Sequence, residues 1–376
     1  FTYLPASGPP SRWHVPIRYR IRAADHTTVQ RTLLTDAHAR LPLASRADEV
    51  VVNESGHGFY RVRYAGVLRD RIEQALIDGR LSAIERFNLV SDAWAATVAG
   101  LTPLPDYLAL TRRFRTERDH NVWAALIASF ETLYRIVGGE ERPALERFIR
   151  DRVGPVFAAL GWEPSAGEDE LTRQLRADVL RVLGTIGADD AIRRAALARV
   201  EQPAQVDANL WPAVIGILAH TGDAARYDQH VARARAATTP QEERRYLYSL
   251  AAFTDPALLE RTIASAINGE IRTQDAPYLV RLVLLNVHGR ERAWSFVTRE
   301  WDTMARLYPK NGLRRMCDGI VGLATPELER QVGRFFAERK IDLGGKTLEQ
   351  YLEQLRITVA FRERVRPTLA RDLATA

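Results

Sequence analysis

The hydrophobic rhythm of this chain changes once, near residue 65, and that change limits what it can fold into. Before it, apolar and polar residues alternate with a period of two; after about Val67 the apolar residues recur three and four apart. In Ile17-Arg18-Tyr19-Arg20-Ile21-Arg22 the alternation predicts a strand with one packed face and one solvated face. Arg18, Arg20 and Arg22 then read as a wet sheet face and not as a ligand clamp. A second strand is predicted over Glu49–Val52, running into the turn cluster Asn53–Gly58. A third, Phe59–Tyr64, sets Tyr60, Val62 and Tyr64 opposite Arg61 and Arg63. These predict a small antiparallel β-sandwich over residues 1–65.

Residues 66–376 carry the helical period and its punctuation. Ser82 with Glu85 is a capping box, Thr239-Pro240-Gln241-Glu242 joins a cap to a proline at the first helical position, and Asp255-Pro256 and Thr325-Pro326 repeat that signal. Helix starts fall near 240, 256, 275, 290, 309 and 325, and two such steps make one helical hairpin of roughly 35 residues. The expectation is a mainly α chain: an α-solenoid of about sixteen short antiparallel helices, HEAT- or armadillo-like, preceded by the sandwich.

Charge excludes more than it suggests. Lys and Arg number 53 against 47 acids, and only Lys310, Lys340 and Lys346 are lysines. Nine arginines and five acids fall in the first 65 residues, so the remainder is close to neutral and has no basic run. Nucleic-acid binding needs positive charge gathered on one face, and that pattern is missing. The apolar stretches Trp211–Ala219 and Tyr278–Val287 are too short to span a bilayer. Cys317 is alone, which rules out an intrachain disulfide and a cysteine metal site and fits a reducing, cytoplasmic setting. The chain opens at Phe1, without Met and in what reads as mid-strand, which leads us to expect a piece of something longer.

The usual catalytic patterns fail one after another. His14, His26, His38, His57, His120, His220, His230 and His288 include no H-E-x-x-H zinc pair. Gly344-Gly345-Lys346-Thr347 has the tail of a phosphate-binding loop, but the required earlier glycine is Lys340. Glu168-Asp169-Glu170 and Asp189-Asp190 stand at predicted helix starts and read as caps. As an acid–base pair they would need an aromatic-lined sugar cleft, as in helical-toroid glycosidases, and the seven Trp residues are dispersed. Arg281 is the oddity, since its helix is otherwise apolar nearly all round. Its guanidinium must pair with an acid or line a water-filled cavity, and Arg314-Arg315 pose the same question in milder form.

Several motifs together resemble one family. Val51-Val52-Asn53 followed by Gly58-Phe59-Tyr60-Arg61-Val62-Arg63-Tyr64, and upstream Trp13-His14-Val15-Pro16-Ile17, look like the strands of the β-sandwich domain of aminopeptidase N type zinc metallopeptidases (gluzincins). Glu85–Trp94, Glu117–Trp123, Ile271-Arg272-Thr273-Gln274-Asp275, Asn286 with Gly289-Arg290, Ala293-Trp294-Ser295-Phe296, Trp301, Phe335-Phe336 and Gln350–Arg356 are similar to motifs of that family's helical C-terminal domain, in the same order. The resemblance implies a C-terminal half whose thermolysin-like catalytic domain, with its zinc, lies elsewhere, so no catalytic or metal residue carries over. It implies that the helical domain arches over the active site, forms the substrate chamber and contacts peptide. Arg314 and Arg315, near where relatives place cavity-facing basic side chains, are then candidates for a peptide carboxylate contact, with Arg281 an outside candidate because it departs from the family pattern. Partners would be the enzyme's own catalytic domain and peptide substrates, with neither nucleic acid nor membrane. The alternative is an independent α-solenoid scaffold that binds a protein partner.

Overall fold

The computed structural model describes residues 3–4, 13–24, 26–41, 47–201, 206–339, 341, 343–344 and 346–376. Phe1, Lys340 and Gly345, which the sequence reading invoked, lie outside them. The chain divides into two compact units, residues 1–130 with 375–376 and residues 131–374, and the change of period near residue 65 falls within the first.

The first unit opens with three strands, β1 (Val15–Ala23), β2 (His26–Leu34) and β3 (Glu49–Val52), paired antiparallel in the order β2-β1-β3. Tyr19 of the central strand stands opposite Gln30 on one side and Val52 on the other. The expected alternation holds on β1: Tyr19 and Ile21 are buried with Ala47, and Ile17, Val50 and Val52 pack against them. The arginine face differs from the wet surface expected. Arg20, Arg22 and Arg80 converge on the buried Glu49 carboxylate at 3.5, 3.5 and 2.8 Å, Arg20 also reaches Glu85 at 3.1 Å, and Arg18 pairs with Glu54 at 2.5 Å.

Phe59–Tyr64 forms no strand: Phe59 and Tyr60 lie in a bend and residues 61–64 are irregular. The Val62 N–H donates to Asp92 Oδ2 at 2.9 Å, and the Tyr64 hydroxyl accepts from the Val52 N–H at 2.9 Å, so side chains take the bonds a ladder would need. The face pattern survives: Tyr60, Val62 and Tyr64 are half-buried, Arg61 and Arg63 exposed.

Four helices follow: α1 (Val67–Ile77), α2 (Ala83–Val98), α3 (Leu104–Thr111) and α4 (His120–Ile136). Glu85 reaches back to the Ser82 N–H at 3.0 Å, as the capping box requires. Glu117 takes both Arg86 Nε and Nη2, at 2.5 and 3.0 Å, while its carbonyl accepts the Trp123 indole N–H at 3.1 Å. Burial works to raise the Glu117 carboxyl, but Arg86 and the Asp119 and Arg118 N–H groups outweigh it and hold it below the usual range.

The second unit is helical: α5 (Arg142–Leu160), α6 (Glu170–Gly184), α7 (Asp190–Val200), α8 (Trp211–Thr221), α9 (Ala224–Ala236), α10 (Pro240–Ser249), α11 (Pro256–Ala264), α12 (Ala276–Leu285), α13 (Arg290–Arg299), α14 (Trp301–Leu307), α15 (Lys310–Asp318), α16 (Pro326–Arg339), α17 (Thr347–Val365) and α18 (Leu369–Thr375). That makes eighteen α-helices among the described residues, and the six predicted starts fall within one residue of α10, α11, α12, α13, α15 and α16. Thr239, Asp255 and Thr325 cap as expected, accepting from the Glu242, Ala257 and Leu328 N–H groups. Helices two apart stack, α6 on α8, α8 on α10 and α10 on α12; because short α14 intervenes, α12 stacks on α15, and α15 on α17.

One continuous core runs along this unit from Ala219 to Val359. Near its end Trp294, Trp301, Phe335 and Phe336 form an aromatic group, with ring centroids 5.3 to 6.3 Å apart and mostly edge to face. Cys317 lies in this core, 2% exposed, and burial pushes its thiol well above the ordinary range. Among the described residues no helix is long and apolar enough to cross a membrane.

Candidate functional site

The site expected from the sequence lies where α12, α15 and α17 meet. Two glycines set its geometry. A Cβ on Gly319 would come within 2.8 Å of the Arg281 carbonyl oxygen, and one on Gly322 within 2.5 Å of the Leu284 carbonyl, so the end of α15 lies directly on the α12 backbone. That approach places Asp318 beside Arg281, whose Nε donates to Oδ2 at 2.6 Å. The Arg281 side chain is 31% exposed, so the pair is within reach of water and its net contribution is small. Of the two solutions open to this arginine, the ion pair is realised.

Arg314 and Arg315 are both exposed. Arg314 donates Nε to the Leu343 carbonyl at 2.8 Å, which ties α15 to the segment before α17. The Tyr351 hydroxyl on α17 is raised first by burial and then by Asp318, with Arg315 and Arg314 pulling it the other way, so all four groups share one neighbourhood. The structure therefore brings Arg281, Arg314 and Arg315 to one junction, with the first engaged by Asp318, the second tied to the Leu343 carbonyl and the third exposed.

The carboxylate clusters are structural. Asp189 accepts from the Ala191 and Ile192 N–H groups at 3.0 Å each, and Asp169 from the Thr172 N–H at 2.9 Å. Glu168 does more than cap: it holds Arg176, 2% exposed, at 2.5 Å, while the same guanidinium donates to the Leu160 and Gly161 carbonyls. Among the described residues no group of three or more His, Cys, Asp or Glu side chains could hold a metal ion.

A second constellation was hidden in the sequence. His220 and His288, read singly as scattered residues, have ring centroids 6.3 Å apart, and the Tyr134 hydroxyl lies 3.3 Å from His288 Nε2. Burial, then Arg193, His288 and Arg142, push His220 down to about 4; burial, then Arg142 and Arg290, lower His288. Arg290 donates to the Arg135 and Gly322 carbonyls, both at 2.9 Å, and burial first, with Arg362, Arg142 and Arg135 adding, brings it down to about 10. Arg142 stacks on the Tyr134 ring at 4.2 Å. Tyr134, Arg142, Arg193, His220 and Arg290 come from five helices and His288 from a loop, so nothing in the linear sequence joins them. The nearest signal was His288 and Arg290 within the Asn286–Arg290 motif.

Residues 50–357 match the family described as ERAP1-like C-terminal domain, and the chain belongs to that family. Among its relatives are Aminopeptidase M1 of Arabidopsis thaliana, 28% identical over 84% of this chain and 37% of the relative, and Glutamyl aminopeptidase of Rattus norvegicus, 27% identical over 93% and 38%. Aminopeptidase A of Gloydius brevicauda is 26% identical over 96% and 39%. The chain spans less than two-fifths of the length of these relatives.

The motifs that carried the resemblance turn out to hold the fold together. Asn286 donates to the Ala251 and Phe253 carbonyls, both at 2.8 Å, and accepts the His288 N–H at 2.9 Å. Asp275 accepts the Tyr248 hydroxyl at 3.0 Å, and Asp92 secures Arg61 at 3.1 Å along with the Val62 N–H.

Proposed function

We propose that this chain is the non-catalytic C-terminal portion of a zinc aminopeptidase that removes N-terminal amino acids from peptides. The observation that carries this reading is the family match over residues 50–357, joined to relatives that are named aminopeptidases and are more than twice as long. In this reading the helices form a curved solenoid over residues 66–376 that caps the active site and walls the substrate chamber, and the sheet belongs to a sandwich domain over 1–65. Arg314 and Arg315, exposed at the α15–α17 junction, contact the peptide, while Arg281, bound to Asp318, supports them. Among the described residues no group of side chains could hold zinc, and in this reading the ion is held by a part of the polypeptide outside this chain. The single buried Cys317 favours a cytoplasmic setting.

The sheet offers a surface for the catalytic part. Trp13 is 77% exposed and Phe59 fully so, around an open groove of about 800 Å³ that Ile17 and Tyr60 also line. Large apolar side chains gathered on one face are a docking signature. The test is activity: this chain alone releases no N-terminal amino acid from peptides, with or without zinc, whereas the polypeptide extended upstream does so in a zinc-dependent way. Zinc-dependent release by the chain alone, or none by the extended protein, sinks the proposal.

A further inference from the structure

Arg142 is the side chain whose charge the fold leaves unanswered. It is the first residue of α5, where the helix dipole disfavours a cation. Among the described residues it takes part in no ion pair, and its Nη1 is buried without a hydrogen-bond partner. Two other arginines, Arg20 and Arg22, also leave a buried Nε unbonded, but Glu49 and Glu85 stand beside them. Arg142 has only the face of Tyr134. That contact softens the desolvation of a cation without cancelling it.

Its surroundings add positive charge. Arg193, Arg290 and Arg135 lie in the same region, and each spends donors on backbone carbonyls: Gly184 and Thr185 for Arg193, Arg135 and Gly322 for Arg290, Glu131 for Arg135. A carbonyl satisfies a donor but does not neutralise the guanidinium. The acids in reach are few: Glu146 is felt at Tyr134, Glu291 at Arg290 and Glu131 at Arg135, while Asp190 lies 3.7 Å from Arg193. His220, held low chiefly by burial, offsets none of this charge. A cluster of cations of this kind is completed by an anion that accepts from the unbonded Arg142 Nη1 and offsets several charges together.

We propose that Arg142, stacked on Tyr134 with His220, His288, Arg193 and Arg290 around it, anchors a binding site for a small oxyanion of the phosphate or sulfate class. The site is independent of the peptidase activity proposed above and serves to fasten α4, α5, α7, α8 and α13 to one another. The test is the melting temperature of the whole chain at pH 7 in sodium phosphate against sodium chloride at matched ionic strength. Phosphate raises it by about 3 °C at ten times its dissociation constant, and Arg142→Met removes that rise. Where Arg142→Met does not fold, the same titration is read on the unmodified chain from the His288 ring proton resonance. Bound phosphate moves the His288 titration midpoint upward, because a negative charge favours the imidazolium. A melting temperature no higher in phosphate than in chloride, a rise that survives in Arg142→Met, or a His288 midpoint indifferent to phosphate would overturn the site.

Discussion

Two regions of the molecule, the sheet end of the first unit and the cluster around Tyr134 and His288 in the second, meet the same problem, an excess of arginine, in opposite ways. In the first unit Arg18, Arg20, Arg22, Arg61, Arg80 and Arg86 meet carboxylates, and Glu49 alone serves three of them. In the interior of the second, Arg135, Arg193, Arg290 and Arg362 meet backbone carbonyls near the ends of α4 and α6 and of the turn after α15. The helix end offers about half an elementary charge, so it stabilises a cation and still leaves it cationic. A stretch that is nearly neutral by counting, residues 66–376, thus keeps concentrated positive charge in one place, and only the packing shows where.

Acid should separate the units most strongly. His220 and His230 in the second unit sit at about 4 against 6.5 when unfolded, in both cases chiefly through burial. A depressed histidine makes the unfolded chain the better proton binder, so its contribution is full above 6.5 and is lost as pH falls from there toward 4. At pH 5 the two together cost about 4 kcal/mol. The lowered carboxyls of the first unit, Glu54 held down first by the Ser55 hydroxyl and Glu117 chiefly by Arg86, begin to lose their contribution only below their ordinary 4.5. Hydrogen exchange between pH 7 and 5 is therefore expected to loosen residues 131–374 first. Loosening of residues 47–130 ahead of them would reverse the comparison.

The next effect belongs to the first unit. Glu49→Gln removes the carboxylate that Arg20, Arg22 and Arg80 share, leaving Arg20 with Glu85 and Arg80 with Asp78, and is expected to cost about 3 kcal/mol, the low end for a broken buried pair because the arginines are partly in water. Hydrogen exchange of residues 47–130 in a urea series reads it. Asn286→Ala, which frees the Ala251 and Phe253 carbonyls in the second unit, is expected to cost about 2 kcal/mol. Smallest is Asp189→Ala, which removes the α7 cap at about 1 kcal/mol. Comparable losses from Glu49→Gln and Asp189→Ala would mean that the carboxylate frame is no stronger than an exposed cap.

Much of the fold was legible because it is local. The Glu49–Val52 strand, the alternation on β1 and the helix starts at Pro240, Pro256 and Pro326 depend on residues within a few positions of one another. What depends on distant partners was not. Phe59–Tyr64 has the pattern of a strand, yet Asp92, thirty residues on from Val62, takes its backbone bond. Arg281 was recognisable as a residue in need of a partner, but Asp318 could be named only once Gly319 and Gly322 had brought α15 onto α12. The pairing of His220 with His288 had no local trace at all.

Cys317 has a practical consequence. As the single thiol of the chain, shut inside the core that α12, α15 and α17 share, it reacts with an alkylating reagent only while that core is open. The labelling rate at a given reagent concentration is therefore a clock for opening of the helical unit, built into the native sequence. Run at pH 7 and pH 5, or with and without phosphate, it reports the transient loss of closure that a melting curve averages over, with no foreign probe attached.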